Sequence, residues 1–137
     1  MKTYNIEEFK NMDEYQEFIN DNPSFGSLKI RAYAAREAIP VSGLKIVIQK
    51  EIGDNNVIFF EGETNSSGVI EKIKLPAPKL DPNNLNAPLY TTYQVLATYA
   101  PDNASGIYNV NMYEDICVVQ NISIVPEMGI RRLFPWQ

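Results

Sequence analysis

The chain has 137 residues, with 12 basic and 17 acidic side chains spread without long blocks and a net charge of -5. That length suits one domain with a single self-sufficient core, and the acidic balance weighs against nucleic acid or an anionic membrane as partner. One cysteine and no histidine exclude an internal disulfide framework and a Cys-rich zinc site, and they remove the commonest general base.

The opening residues, MKTYNIEEFKNMDEY, are acidic where a signal peptide would be basic and then apolar. No run approaches the roughly 18 apolar residues of a membrane span. Synthesis in the cytoplasm is therefore expected, with any place in an extracellular or virion-like structure reached by release or assembly. From Asn5 to Asn20 the period is helical, with Ile6, Phe9, Met12, Tyr15 and Ile19 as a stripe and acidic residues on most other faces. One short amphipathic helix is expected. Asn5 and Glu8 have capping-box spacing, Asp13 is a second candidate start, and Asn22-Pro23 followed by Gly26 ends the helix.

After Gly26 the period becomes two. Leu28, Ile30 and Ala32 alternate with polar or amphipathic neighbours, and Leu44, Ile46 and Ile48 repeat the pattern. Val57 to Thr64, Val69 to Leu75, Tyr90 to Tyr99, Ile107 to Tyr113 and Ile116 to Val125 complete about seven strands. Short strands at this spacing, with no intervening helices, indicate an all-β, seven-stranded antiparallel sandwich. Its expected core is Leu28, Ile30, Leu44, Ile46, Ile48, Ile58, Phe60, Val69, Ile73, Val95, Ala97, Val110, Val118 and Ile122. Cys117, inside Ile116-Cys117-Val118-Val119, is expected to be a buried small hydrophobe. The chain divides into a helix and turn over 1–25, a sandwich over 26–126 and an apolar tail over 127–137.

Two turn motifs punctuate the strands. In Ala38-Ile39-Pro40-Val41-Ser42-Gly43, Pro40 fixes its own φ and extends Ile39, and Gly43 permits a change of sign before the next strand. In Thr64-Asn65-Ser66-Ser67-Gly68, Asn and Gly tolerate the positive φ of tight hairpins. Both read as architectural. Together with their flanking strands, over about Gly26 to Pro126, they resemble the carboxypeptidase regulatory-like domain family, and within it small bacterial stand-alone forms that begin with a helix. The resemblance implies a seven-stranded sandwich of transthyretin (prealbumin) type and no catalytic role. Leu44 and Asn65 depart from the Ala and Asp usual in that family, and the Pro-rich loop Pro76 to Pro88 is longer. The hydroxyisourate hydrolases, another transthyretin-like branch, depend on histidines and a Tyr-Arg-Gly-Ser ending. This chain has no histidine and ends Phe134-Pro135-Trp136-Gln137, so that activity is excluded at this stage.

Candidate chemistry is sparse. Glu61 and Glu63 share one strand face and could pair on a cation, but no second acidic cluster lies nearby in sequence and no His or Cys joins them, so a solvated face is the simpler reading. Asp54-Asn55-Asn56, Asp81-Pro82-Asn83-Asn84 and Asp102-Asn103 are oxygen-rich yet lack calcium-loop spacing and have ordinary turn composition. The triplets Asn65-Ser66-Ser67, Asn103-Ala104-Ser105 and Asn121-Ile122-Ser123 have glycosylation form but no secretory signal. No catalytic residue, metal or cofactor is expected, and the chain is expected not to be an enzyme.

Two surfaces remain. Tyr90, Tyr93, Tyr99, Tyr108 and Tyr113 crowd the second half and could stack on a carbohydrate of the cell wall, against the alternative of ordinary core and edge packing. The tail EMGIRRLFPWQ holds Ile130, Arg131, Arg132, Leu133, Phe134 and Trp136, a composition enriched at interfaces, and must dock. The leading expectation is a noncatalytic structural module that forms a homo-oligomer or meets a protein partner in a surface, fibre or virion-like assembly. Its tail is expected to exchange between copies. The alternative is a carbohydrate-binding module using the tyrosine face.

Overall fold

The computed structural model describes the backbone of residues 1–34, 39–102, 104–127 and 130–134, and the side chains of these apart from residues 102, 125–127 and 130–134. In chain order its elements are β1 (Lys2–Asn5), α1 (Ile6–Phe9), α2 (Asp13–Asp21), β2 (Ser24–Ala34), β3 (Ile39–Pro40), β4 (Lys45–Ile52), β5 (Asn55–Glu63), β6 (Val69–Ala77), β7 (Thr91–Tyr99), a 3-10 turn at Ala100–Asp102, β8 (Ala104–Met112), β9 (Cys117–Glu127) and β10 (Ile130–Phe134). The expected β-sandwich with a short helical start is the fold observed.

One sheet runs β1-β5-β4-β7-β8 and the other β10-β9-β2-β3, with β6 also paired to β2. Among the described residues ten strands thus stand where about seven were expected, because β1, β3 and β10 are too short to carry a period of their own. Most neighbours are antiparallel, but β1 lies parallel to β5 and β2 parallel to β9. Parallel neighbours need a long connection, and here most of the chain lies between β2 and β9. The N-terminal segment and the tail each add a strand to a sheet, so neither stands apart from the sandwich.

The single expected helix is two. Asn5 Oδ1 accepts from Glu8 N at 2.9 Å and Glu8 Oε1 accepts from Asn5 N at 3.3 Å, the capping box of α1. Met12 is extended at the start of α2 and offers no side-chain cap. Phe9 is fully buried with Tyr15 edge-on to it. Phe18, outside the expected stripe, meets Phe59, which in turn stands edge-on to Tyr93 at 5.2 Å. Asn22 then closes α2, donating to Phe18 O and accepting from Thr91 Oγ1 at the start of β7.

Ten of the expected core residues, Leu28, Ile30, Leu44, Ile46, Ile48, Ile73, Val95, Ala97, Val110 and Ile122, are buried. Ile58, Phe60, Val69 and Val118 are only partly so. Two bulges account for Ile58 and Val69. Between Ile48 and Gln49 the register with β5 slips, which sets Ile58 opposite Gln49 and gives the buried place to Val57. Between Leu28 and Ile30 the register with β6 slips beside Lys72, whose φ is 60°, and Ile70 packs on the core. Cys117 is a correction: it opens β9 and is exposed, since the core-facing parity of that strand falls on Ile122 and Ile124.

The two turn motifs meet. Thr64 Oγ1 donates to Val41 O at 2.7 Å and accepts from Leu44 N at 3.0 Å, while Gly43 N donates to Thr64 O at 2.9 Å. Asn65 Oδ1 accepts from Ser67 N and Val69 N, closing the second turn. Gly43 (φ 78°) and Gly68 (φ 74°) take the left-handed backbone these corners need. A Cβ at Gly68 would also strike the Ala32 carbonyl, so this corner is seated directly on β2. The Thr64 hydroxyl and the Asn65 side-chain carbonyl are spent within these corners, which is an architectural use.

Candidate interaction surface

The five tyrosines do not form one face. Tyr93 and Tyr108 point into the core from neighbouring β7 and β8, and Tyr93 Oη donates to Pro76 O at 2.6 Å. Burial raises the pKa of both phenols, that of Tyr108 to about 12. The Tyr108 hydroxyl has no hydrogen-bond partner among the described residues. Tyr99 flanks the core at the end of β7. Only Tyr90 and Tyr113 pair near the surface, with ring centroids 5.5 Å apart.

Of the tail, residues 130–134 form β10 on β9 of the same chain, Ile130 opposite Glu127 through Phe134 opposite Ser123. Ile130, Arg131, Arg132, Leu133 and Phe134 therefore share one strand, while Trp136 lies outside the described residues.

The structure instead gathers an apolar end that periodicity did not reveal. The β8–β9 turn leans on the start of β2, with Asp115 N donating to Phe25 O and Ser27 N to Ile116 O, each at 3.0 Å. Glu114 Oε2 accepts from Leu80 N at 2.6 Å and ties the long loop over residues 78–90 to the same turn. Tyr90 reaches Tyr113 from the far end of that loop. Around these ties Phe25 and Ile116 are each 50% exposed, Leu89 is 58% exposed, and Leu85 on the loop is 98% exposed. The loop's polar residues are used locally, Asp81 Oδ1 accepting from Asn83 N and Asn84 Oδ1 from Asn86 N. Length and proline content were its signal in sequence; Phe25 and Ile116 had none, because their neighbours are distant in the chain.

Glu61 and Glu63 are exposed. Among the described residues no group of three or more His, Cys, Asp or Glu is placed to hold a metal ion, and no helix is long and apolar enough to cross a membrane.

No family model matches the chain, and no curated protein does. Solved structures do match. One is the structure of Klebsiella pneumoniae 5-hydroxyisourate hydrolase, 13% identical, with 80% of this chain and 97% of that chain covered at a TM-score of 0.48. The expectation that the chain is not an enzyme is corrected by this match: the matched structure is an enzyme's, so the fold does not exclude catalysis. At this identity and score the likeness assigns the chain no activity.

Proposed function

We propose that this chain is an assembly module that meets further copies of itself through the apolar end of its sandwich, as part of a surface, fibre or particle. The supporting observation is that the loop over residues 78–90, tied down at Leu80 and Tyr90, holds Leu85 and Leu89 in solvent, while Phe25 and Ile116, where the start of β2 meets the β8–β9 turn, are also half exposed. Single exposed apolar side chains are ordinary, but a set of them around one turn marks a contact surface. Tyr90 and Tyr113 add aromatic area of the kind enriched in such contacts. The burial of Tyr93 and Tyr108 removes the support for a tyrosine-lined carbohydrate face.

Light scattering across a wide concentration range tests this. The parent should exceed monomer mass and grow with concentration, and the double variant Leu85→Asp, Leu89→Asp should remain a monomer. A parent that stays monomeric throughout rejects self-association and transfers the surface to a different protein partner.

A further inference from the structure

The outward faces of the two sheets differ in chemistry. On the sheet that holds β2 and β6, Lys29, Arg31, Glu71 and Lys74 face outward, and Lys29 pairs with Glu71 at 3.2 Å. On the other sheet the outward residues of β7 and β8 carry no charge. They pair in rows, Thr92 with Asn111, Gln94 with Asn109 and Leu96 with Ile107, while the alternate residues Tyr93, Val95, Tyr108 and Val110 are buried. Charge returns toward β5, where the outward residues of β4 and β5 include Lys45, Glu51, Glu61 and Glu63.

Two adjoining rows of this face are complementary in kind. Val47, Leu96 and Ile107 stand side by side on β4, β7 and β8, an apolar row about 10 Å long at the usual strand spacing. Ile107 is 66% exposed. Gln49, Gln94 and Asn109 form the next row, two residues along each strand. Its amides are partly fixed, Asn56 Nδ2 donating to Gln49 Oε1 and Gln49 Nε2 to Gln94 Oε1, both at 3.0 Å. One row further, Thr92 Oγ1 donates to Asn111 Oδ1 at 2.7 Å. Among the described residues this leaves the Gln94 and Asn111 amide nitrogens and the whole Asn109 amide uncommitted, and all three residues are exposed.

We propose that this face binds a neutral, extended polysaccharide chain laid across β4, β7 and β8, with the C–H faces of its sugar rings on Val47, Leu96 and Ile107 and its hydroxyls on the amides of Gln94, Asn109 and Asn111. An amide sets donors beside an acceptor, which suits neighbouring hydroxyls that each donate and accept. An ionic ligand would lose water over β7 and β8 and gain no ion pair there. The β7–β8 register runs unbroken over nine pairs, so no bulge curves this part of the face into a hollow for a coiled chain. A second copy fits less well, because three apolar side chains fall far short of the roughly 1,200–2,000 Å² that a stable protein contact buries. This site is independent of the apolar end and does not rest on self-association.

The test is a titration of the full chain with cellohexaose, an extended β-1,4-linked neutral oligosaccharide, and with maltohexaose, its coiled α-1,4-linked counterpart, followed by backbone and side-chain amide shifts. Cellohexaose should give saturable shifts at residues 47–49, 92–96 and 107–111, the Gln94 and Asn109 side-chain amides included, with Kd at least about fivefold lower than for maltohexaose. Gln94→Ala and Ile107→Ala should each weaken it about fivefold or more, while Arg31→Ala on the opposite sheet leaves it unchanged. If Gln94→Ala does not fold, Asn109→Ala replaces it. No saturation by about 5 mM, equal binding of the two sugars, shifts scattered over the surface, or unchanged binding in the variants of this face would each overturn the proposal. Shifts at these residues that follow protein concentration without sugar would also overturn it and assign the face to a second copy.

Discussion

Thr64 joins the corner before β4 to the corner before β6 with one hydroxyl that donates to Val41 O and accepts from Leu44 N. It is 4% exposed, so Thr64→Val keeps the shape but leaves a buried carbonyl and amide without their partner. A loss of about 1–3 kcal/mol on denaturant unfolding is expected, and a loss within a few tenths would mean the corner holds without it. The two core tyrosines make a matched pair. Tyr93→Phe removes a bond to Pro76 O and should cost about 1 kcal/mol, whereas Tyr108→Phe removes an unpartnered buried hydroxyl and should be neutral or stabilising. Their pH dependence has one sign. The ordinary phenol pKa is 10.0, and burial raises that of Tyr108 to about 12, so between these values the folded chain keeps a proton that the unfolded chain loses. Stability present below pH 10 therefore falls as pH rises through that window. Lys50, with its pKa lowered by burial, acts oppositely, its contribution rising as pH approaches 10.5. Comparing Tyr108→Phe with the parent cancels the Lys50 contribution, and the variant should show the shallower decline above pH 10.

Among the elements, α1 and α2 are too short to persist alone in water. The capping box starts α1, but Phe9 and the Phe18–Phe59–Tyr93 contacts hold the pair on the sandwich. Phe9→Ala should cost about 3–5 kcal/mol. Amide exchange over residues 6–21 checks the premise: rapid exchange in the parent would show that the helices are not docked. At the other terminus β10 covers the outer edge of β9 by five register pairs in the same chain. Removing residues 128–137 bares that edge. The shortened chain should fold, lose stability and keep the parent's mass by light scattering, and a fall in mass would show that copies trade this strand.

At the scale of the molecule, both flanking segments are strands of the two sheets, which predicts one cooperative unfolding transition rather than separate loss of the ends. Ile46, fully buried on β4 at the middle of its sheet, is the probe. Ile46→Ala should lower stability by about 2–5 kcal/mol with an unchanged denaturant slope. The sequence by itself determined the alternation of Leu28 and Ile30 and of Leu44, Ile46 and Ile48, the capping of α1 by Asn5 and Glu8, and the architectural character of the two turn motifs. Each of these is settled within a few residues by side-chain period or backbone preference. Only the tertiary structure decided which of Val57 and Ile58 is buried, the parallel pairings of β1 and β2, the sorting of the tyrosines, the exposure of Cys117, the apolar end around Phe25 and the chain of amides Asn56–Gln49–Gln94. Strand orientation and bulges are fixed by partners tens of residues away, and a one-residue slip in pairing reverses the face that every side chain presents.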